Sequence, residues 1–177
     1  FNANKIITTG SGGIILTNNK KIANRAKYLT TQAKNDPVFF VHNEVGYNYR
    51  MTNISAALGL SQLKDLNLFI QKKKNIRNFY LKKMAKFKNL KIAKCPPYAI
   101  NNNWLNILNI NYKKRSLRNK IIKKMYNSKI IVRPIWKLNH LQKPFSKFQS
   151  YKIKKAYNLV KTSICLPSSP SLNLKDL

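Results

Sequence analysis

Acidic residues are almost missing from this chain. Asp36, Glu44, Asp65 and Asp176 are its only carboxylate side chains, against 35 Lys and Arg, and the formal net charge is +31 over 177 residues. No two acids are paired, so glycosidase chemistry has no support. Cysteine is scarce too. Cys95 and Cys165 stand far apart, which gives neither a disulfide framework nor a zinc pattern and suits a reducing cytoplasm. The two His residues form no HExxH motif, and no CxxC occurs, so no metal site is expected. The five Gly match neither a Walker loop nor GxGxxG. No apolar run approaches the roughly 18 residues of a membrane span. The start at Phe1 lacks a signal-peptide pattern and reads as a chain that begins mid-protein.

What is present is Lys, Asn and Ile, which make up 72 of the 177 residues. All three have A/T-rich codons. The charge is spread along the chain, and 29 Lys outnumber 6 Arg, whereas base and phosphate recognition favours the planar Arg fork. A solvated Lys-rich surface explains this better than nucleic-acid binding, which remains the rival reading. Hydrophobic residues at 44% suffice for a core, and the length suits one domain, or one large and one partial domain.

Residues 6–17, IITTGSGGIILT, predict two short strands around a Gly-rich turn. Ile22, Ala23, Ala26 and Leu29 predict a helix over 19–31, capped by Asn18 or Asn19. Residues 32–51 read as a long functional loop. Thr52 caps a helical stretch of about 30 residues, broken at most once, with Ile54, Ala57, Leu58, Leu63, Leu66 and Ile70 on its apolar stripe. Pro96-Pro97 marks a boundary. Beyond it come a strand at 104–112, a helix at 116–127, a strand at 130–133 stopped by Pro134, a helix near 150–161 and a strand at 164–167. That order fits a small α/β domain.

Three segments carry candidate chemistry. In FNANKIITTGSGG, Lys5 stands among small polar neighbours, although a surface role is the default in so Lys-rich a chain. A Lys that forms a Schiff base needs a partly desolvated pocket. The GSGG turn at 10–13 has backbone N–H groups of the kind that cradle phosphate, though a tight turn is the plainer reading. In GYNYRMTN, Asn48 and Arg50 alternate with Tyr47 and Tyr49 before a helix N-terminus, a setting that favours anions. In RPIWKLNHLQKPF, Arg133, Trp136 and His140 combine cationic and aromatic groups suited to a nucleotide or sugar.

Taken in order with TTQAKNDP, HNEVGYNYRMTNISAALGLSQL and ICLPSSPSL, these segments resemble the DegT–DnrJ–StrS family of sugar-nucleotide aminotransferases. The resemblance covers essentially the whole chain and is nearest to enzymes acting on UDP-linked 4-keto-6-deoxy-N-acetylhexosamines. It implies an α/β, fold-type-I transferase using pyridoxal 5′-phosphate (PLP). Residues 1–52 would close the large PLP-binding domain, 53–86 form a connecting helix, and 87–177 make a small C-terminal domain. Lys5 would bond covalently to PLP and shuttle the proton. Asn48, then Arg50, would bind the PLP phosphate across a homodimer interface, and Arg133 and His140 would lie near the sugar nucleotide. Ala3 and Ser11 depart from the residues most members carry there.

The implied partners are a nucleotide sugar and an amino donor, L-glutamate; no membrane is expected, and nucleic acid is disfavoured. The implied setting is cytoplasmic synthesis of surface-polysaccharide sugars. The family's Asp for the pyridine nitrogen and the aromatic stacked on PLP have no counterpart here, so this chain by itself is expected to be inactive. A dehydratase relative, which replaces the Lys by His, and a non-catalytic remnant remain alternatives.

Overall fold

The computed structural model describes residues 1–111 and 115–176. The chain divides into two compact units, Phe1–Asn67 and Leu68–Leu177.

In the first unit, α1 (Lys20–Thr30) starts where the Asn19 side chain accepts from the N–H groups of Lys21 and Ile22. A short antiparallel ribbon follows, β1 (Lys34–Asp36) with β2 (Val41–His42), inside the segment expected to be loop. α2 (Asn53–Lys64) is capped by Thr52, whose side chain accepts from Ser55 N–H. α2 ends at Asp65, and α3 (Leu66–Met84) begins at the next residue, so the long helical stretch is broken once.

The strands expected over 6–17 are not formed. That backbone is irregular, with bends at Ile6, Ile7, Gly10 and Ser11. The donors a ladder would need are engaged elsewhere: Thr8 N–H reaches Gln62 Oε1 at 2.8 Å and Thr9 N–H reaches the Phe1 carbonyl at 3.2 Å. Positive φ at Gly10 and Gly12 turns the chain twice in three residues.

The second unit holds the hydrophobic core. Its sheet contains β3 (Leu90–Ile92), β4 (Asn106–Ile110), β5 (Arg133–Pro134) and β6 (Ser163–Leu166), in the order β3-β4-β6-β5. Every pairing is antiparallel, with Ile92 opposite Leu108 and Leu108 opposite Ile164. β6 is buried along its whole length. Ile76, Ile110 and Ile164 are fully buried, each worth about 2 kcal/mol by area removed from water. The helix α4 (Arg115–Asn127) brings Leu117, Ile121, Ile122 and Met125 onto this core, the face its spacing predicts. The helix α5 (Lys154–Thr162) leads directly into β6.

Tyr112, the end of the strand expected at 104–112, lies outside the described residues. β3 was not expected, and β5 sits later than its apolar run implies. The run at 130–133 begins by closing α4. Lys129, at φ +60°, sends its N–H to the Tyr126 carbonyl, and Ile130 sends its own to Met125. Pairing starts only at Arg133 and includes Pro134, which an edge strand tolerates.

One core position breaks the apolar pattern. α3 buries Lys73, Ile76 and Tyr80 on one face. The Lys73 ammonium donates to the carbonyls of Ser168 at 2.6 Å and Trp104 at 3.0 Å. Burial holds its pKa below the ordinary Lys range.

Tyr80 donates to the Pro167 carbonyl at 2.9 Å, and burial pushes its hydroxyl up to about 12. The folded state therefore keeps this proton where the unfolded chain releases it. The associated stability is complete below the free Tyr value near 10 and is lost as pH rises through 12, at most about 3 kcal/mol. Tyr80→Phe should cost about 1 kcal/mol at neutral pH through the lost hydrogen bond. In urea denaturation the gap to the parent should close or reverse between pH 10 and 12. A constant gap would contradict the assignment. The shift at Lys73 acts in the opposite direction but is common to both proteins and cancels in the difference.

Candidate active-site cleft

The first unit contains a cleft of about 1080 Å³ lined by the Ser11–Thr17 loop, one face of α1, and residues 48–52 with Ser55. Its shape comes from how the GYNYR segment is docked. The last four carbonyls of α1 have no partner inside the helix. Lys27 O accepts from Thr31 N–H, and Tyr28 O from Ala33 N–H at 2.9 Å. Leu29 O accepts from Tyr47 N–H at 2.7 Å, and Thr30 O from Tyr49 N–H at 3.0 Å. Gln32 N–H donates back to the Tyr47 carbonyl at 3.0 Å. GYNYR is thus an extended segment laid on a helix end, with a single bridge between Thr31 and Asn48.

Two further ties hold it. Arg25 on α1 pairs with Glu44, the one ion pair among the described residues. The hydrogen bond from Arg25 holds the Glu44 carboxyl below the usual carboxylate range. His42 Nδ1 lies 2.7 Å from the Gln32 carbonyl. The rings of Tyr47 and Tyr49 stack at 5.1 Å. Because successive residues of an extended strand alternate sides, Asn48 and Arg50 share the opposite side.

Glycines permit the close approaches. A Cβ on Gly46 would lie 2.2 Å from Ala33 N and from the Gln32 carbonyl carbon. A Cβ on Gly59, mid-way along α2, would meet Thr9 Cγ2 at 2.8 Å. Thr9 is buried and its hydroxyl bonds the Ser11 carbonyl, so it cannot give way easily. The glycine loop is therefore seated on α2 at Gly59.

Asn48 and Arg50 line this cleft together with Gly12 and Gly13. The structure thus brings two of the three candidate segments to one place. The charged lining residues are Arg50 and Lys27, both cationic, and the N-terminus of α2 adds its positive dipole end. Lys5 is exposed on the turn before the loop, and its N–H donates to the Asn2 carbonyl at 3.0 Å. It is not among the lining residues. Arg133 and His140 belong to the second unit. Arg133 is exposed on edge strand β5, and His140 is half-buried on a 3-10 turn at Asn139–Leu141. Lys27, Thr30 and Ser55 line the cleft without having been marked by sequence. The signal for the first two was available: Ala23, Ala26, Lys27 and Thr30 share one face of α1, and two of them are small enough to admit a neighbour.

The family profile described as the DegT/DnrJ/EryC1/StrS aminotransferase family matches residues 1–177. The chain belongs to that family. It is 34% identical to the GDP-perosamine synthase of Escherichia coli O157:H7 over 176 residues, 98% of this chain and 46% of that protein. It is 32% identical to EpsN of Bacillus subtilis, provisionally named a pyridoxal phosphate-dependent aminotransferase, over 97% of this chain and 45% of that protein. Among solved structures, PseC of Helicobacter pylori, an aminotransferase of pseudaminic acid biosynthesis, superposes with a TM-score of 0.85 at 23% identity, over 96% of this chain and 47% of that one. This likeness bears out the fold-type-I expectation. The chain spans about half the length of the curated relatives it matches.

The docking of GYNYR supplies a paired test. Gly46→Ala should cost about 3 kcal/mol or more in urea denaturation, since backbone must move. Gly13→Ala, whose Cβ would meet nothing within 4 Å, should stay within about 0.5 kcal/mol. Equal effects would mean that GYNYR is not seated on α1 as described.

Proposed function

We propose that this chain forms part of a PLP-dependent aminotransferase that transfers an amino group, from L-glutamate, to a 4-keto sugar nucleotide. The favoured substrate is a UDP-linked 4-keto-6-deoxy-N-acetylhexosamine, used for surface-polysaccharide sugars in the cytoplasm. The observation that carries the reading is the cleft: backbone at Gly12 and Gly13, the side chains of Asn48 and Arg50, and a helix N-terminus line one concave site whose charged groups are all cationic. Family membership supplies the chemistry such a site would serve.

The lining fits a phosphate-bearing cofactor. Asn48 would donate from its amide and Arg50 would give charge-assisted bonds to a phosphate. In a homodimer, GYNYR would serve the neighbouring subunit's cofactor. When bound, PLP supplies an electron sink for the carbon that loses or gains its proton. Lys5 would hold the cofactor and carry that proton on Nζ, first as base and then as acid. A base must work as the neutral amine, which needs a partly dry setting. Lys5 is exposed in this chain. The cofactor and other polypeptide would complete its enclosure. Residues 1–52 act here as the end of the large domain, 53–86 as the connecting helix and 87–177 as the small domain. Arg133 and His140 face the sugar nucleotide in this reading.

The test uses the native protein that carries this sequence. Addition of PLP should give a visible absorbance band that L-glutamate bleaches, with release of 2-oxoglutarate. Lys5→Ala should lose both. Asn48→Ala and Arg50→Ala should each weaken PLP binding about tenfold or more, while binding of pyridoxal, which lacks the phosphate, stays unchanged. Turnover by Lys5→Ala, or equal losses for PLP and pyridoxal, would overturn the assignment.

A further inference from the structure

The two tryptophans of this chain stack on each other. Trp104 and Trp136 are separated by 32 residues, yet their rings lie 6.0 Å apart with planes inclined by 27°. That spacing is within the range of offset aromatic pairs. Trp104 is half-buried, whereas Trp136 is 63% exposed. An indole this exposed forgoes much of the stabilisation its area could supply on burial.

Trp104 is held unusually well for a loop residue. Its N–H donates to Asn102 Oδ1 at 3.0 Å, and its carbonyl accepts from the buried Lys73 ammonium at 3.0 Å. The turn before it is set by Asn103, at φ +54°, whose N–H reaches Asn101 Oδ1 at 2.8 Å. The second Lys73 bond, to the Ser168 carbonyl at 2.6 Å, ties the same ammonium to the chain after β6. A buried cation held by carbonyl dipoles is a costly way to fix a loop. Its effect is to fix the backbone that carries the Trp104 ring.

The upper ring comes from RPIWK, where exposed Arg133 and Lys137 flank Trp136 and no acid occurs between residues 133 and 145. A flat π-face backed by a fixed second ring and flanked by cations matches a ligand with one planar aromatic part and one polyanionic part. A nucleoside diphosphate has that chemistry.

We infer that Trp136, supported by Trp104, is the platform on which the base of the nucleotide sugar stacks. This rests on the sugar-nucleotide reading above and names the residue that binds the base. Stacking accepts any base, so Trp136 sets affinity for nucleotides as a class and does not choose between uracil and guanine.

The two tryptophans of this chain both lie at the site, so the part of the fluorescence change that Trp136→Leu removes reports on it. UDP and GDP, titrated separately into the native protein, should quench its tryptophan fluorescence, and inorganic pyrophosphate should not. Trp136→Leu should weaken UDP and GDP about tenfold to a hundredfold and leave pyrophosphate unchanged, and Trp136→Phe should recover most of the loss. The exposure of Trp136 makes these variants tolerable to the fold. Unchanged nucleotide affinity in Trp136→Leu, quenching by pyrophosphate equal to that by UDP, or no nucleotide binding by the parent would overturn the inference. The two proposals fail separately. Trp136-dependent nucleotide binding without Lys5-dependent amino transfer would keep the platform and remove the aminotransferase reading. Amino transfer with an unchanged KM for the sugar nucleotide in Trp136→Leu would do the reverse.

Discussion

Four carbonyls at the end of α1 set the geometry of the cleft. A helix end leaves those groups without partners inside the helix, and they must be met by other backbone, side chains or water. Here backbone N–H groups of the turn and of GYNYR satisfy them. Once the Tyr47 and Tyr49 amides are committed to α1, the alternation of extended backbone puts the Asn48 and Arg50 side chains on one common side. The same docking demands glycine at position 46, where two backbones nearly touch. A requirement of secondary structure thus becomes a placement of functional side chains.

The second unit solves a different problem. Its antiparallel sheet buries β6 completely, and its apolar core rests on a few Ile and Leu residues. Into that core the fold admits one ammonium, from Lys73, held by two carbonyls. In a chain with four acids there is little carboxylate to pair with a buried cation, so backbone dipoles take that role. The two loops bound by Lys73 are those containing Trp104 and Ser168. Local rigidity is thereby delivered where an aromatic surface meets solvent.

Much of this was legible beforehand, and the exceptions have physical causes. Asn19 and Thr52 announce helix starts because their side chains can accept from free N–H groups, and both do so. α4 and β6 follow from apolar spacing. The run at 6–17 looked like a hairpin because β-branched residues flank a Gly turn. Its donors go to Gln62 and Phe1, partners that no local pattern reveals. The run at 130–133 was displaced by the closing turn of α4, where Lys129 takes a left-handed conformation usually left to glycine. At the cleft, Asn48 and Arg50 were visible as a motif. Lys27 and Thr30 carry a weaker signal, the small residues Ala23 and Ala26 on their face of α1, which an ordinary surface helix also shows. Lys73 was hidden because one Lys among 29 carries no mark of burial.

The claim beneath this account is that GYNYR is held on the end of α1 through alternate amides. Residue-resolved amide hydrogen exchange over positions 46–50 tests it directly. The account predicts that Tyr47 and Tyr49 exchange about tenfold or more slowly than Asn48 and Arg50, together with slow exchange at Gln32. Uniformly fast exchange across all five positions would contradict it, because GYNYR would then not be fixed and Asn48 and Arg50 would have no defined place in the cleft.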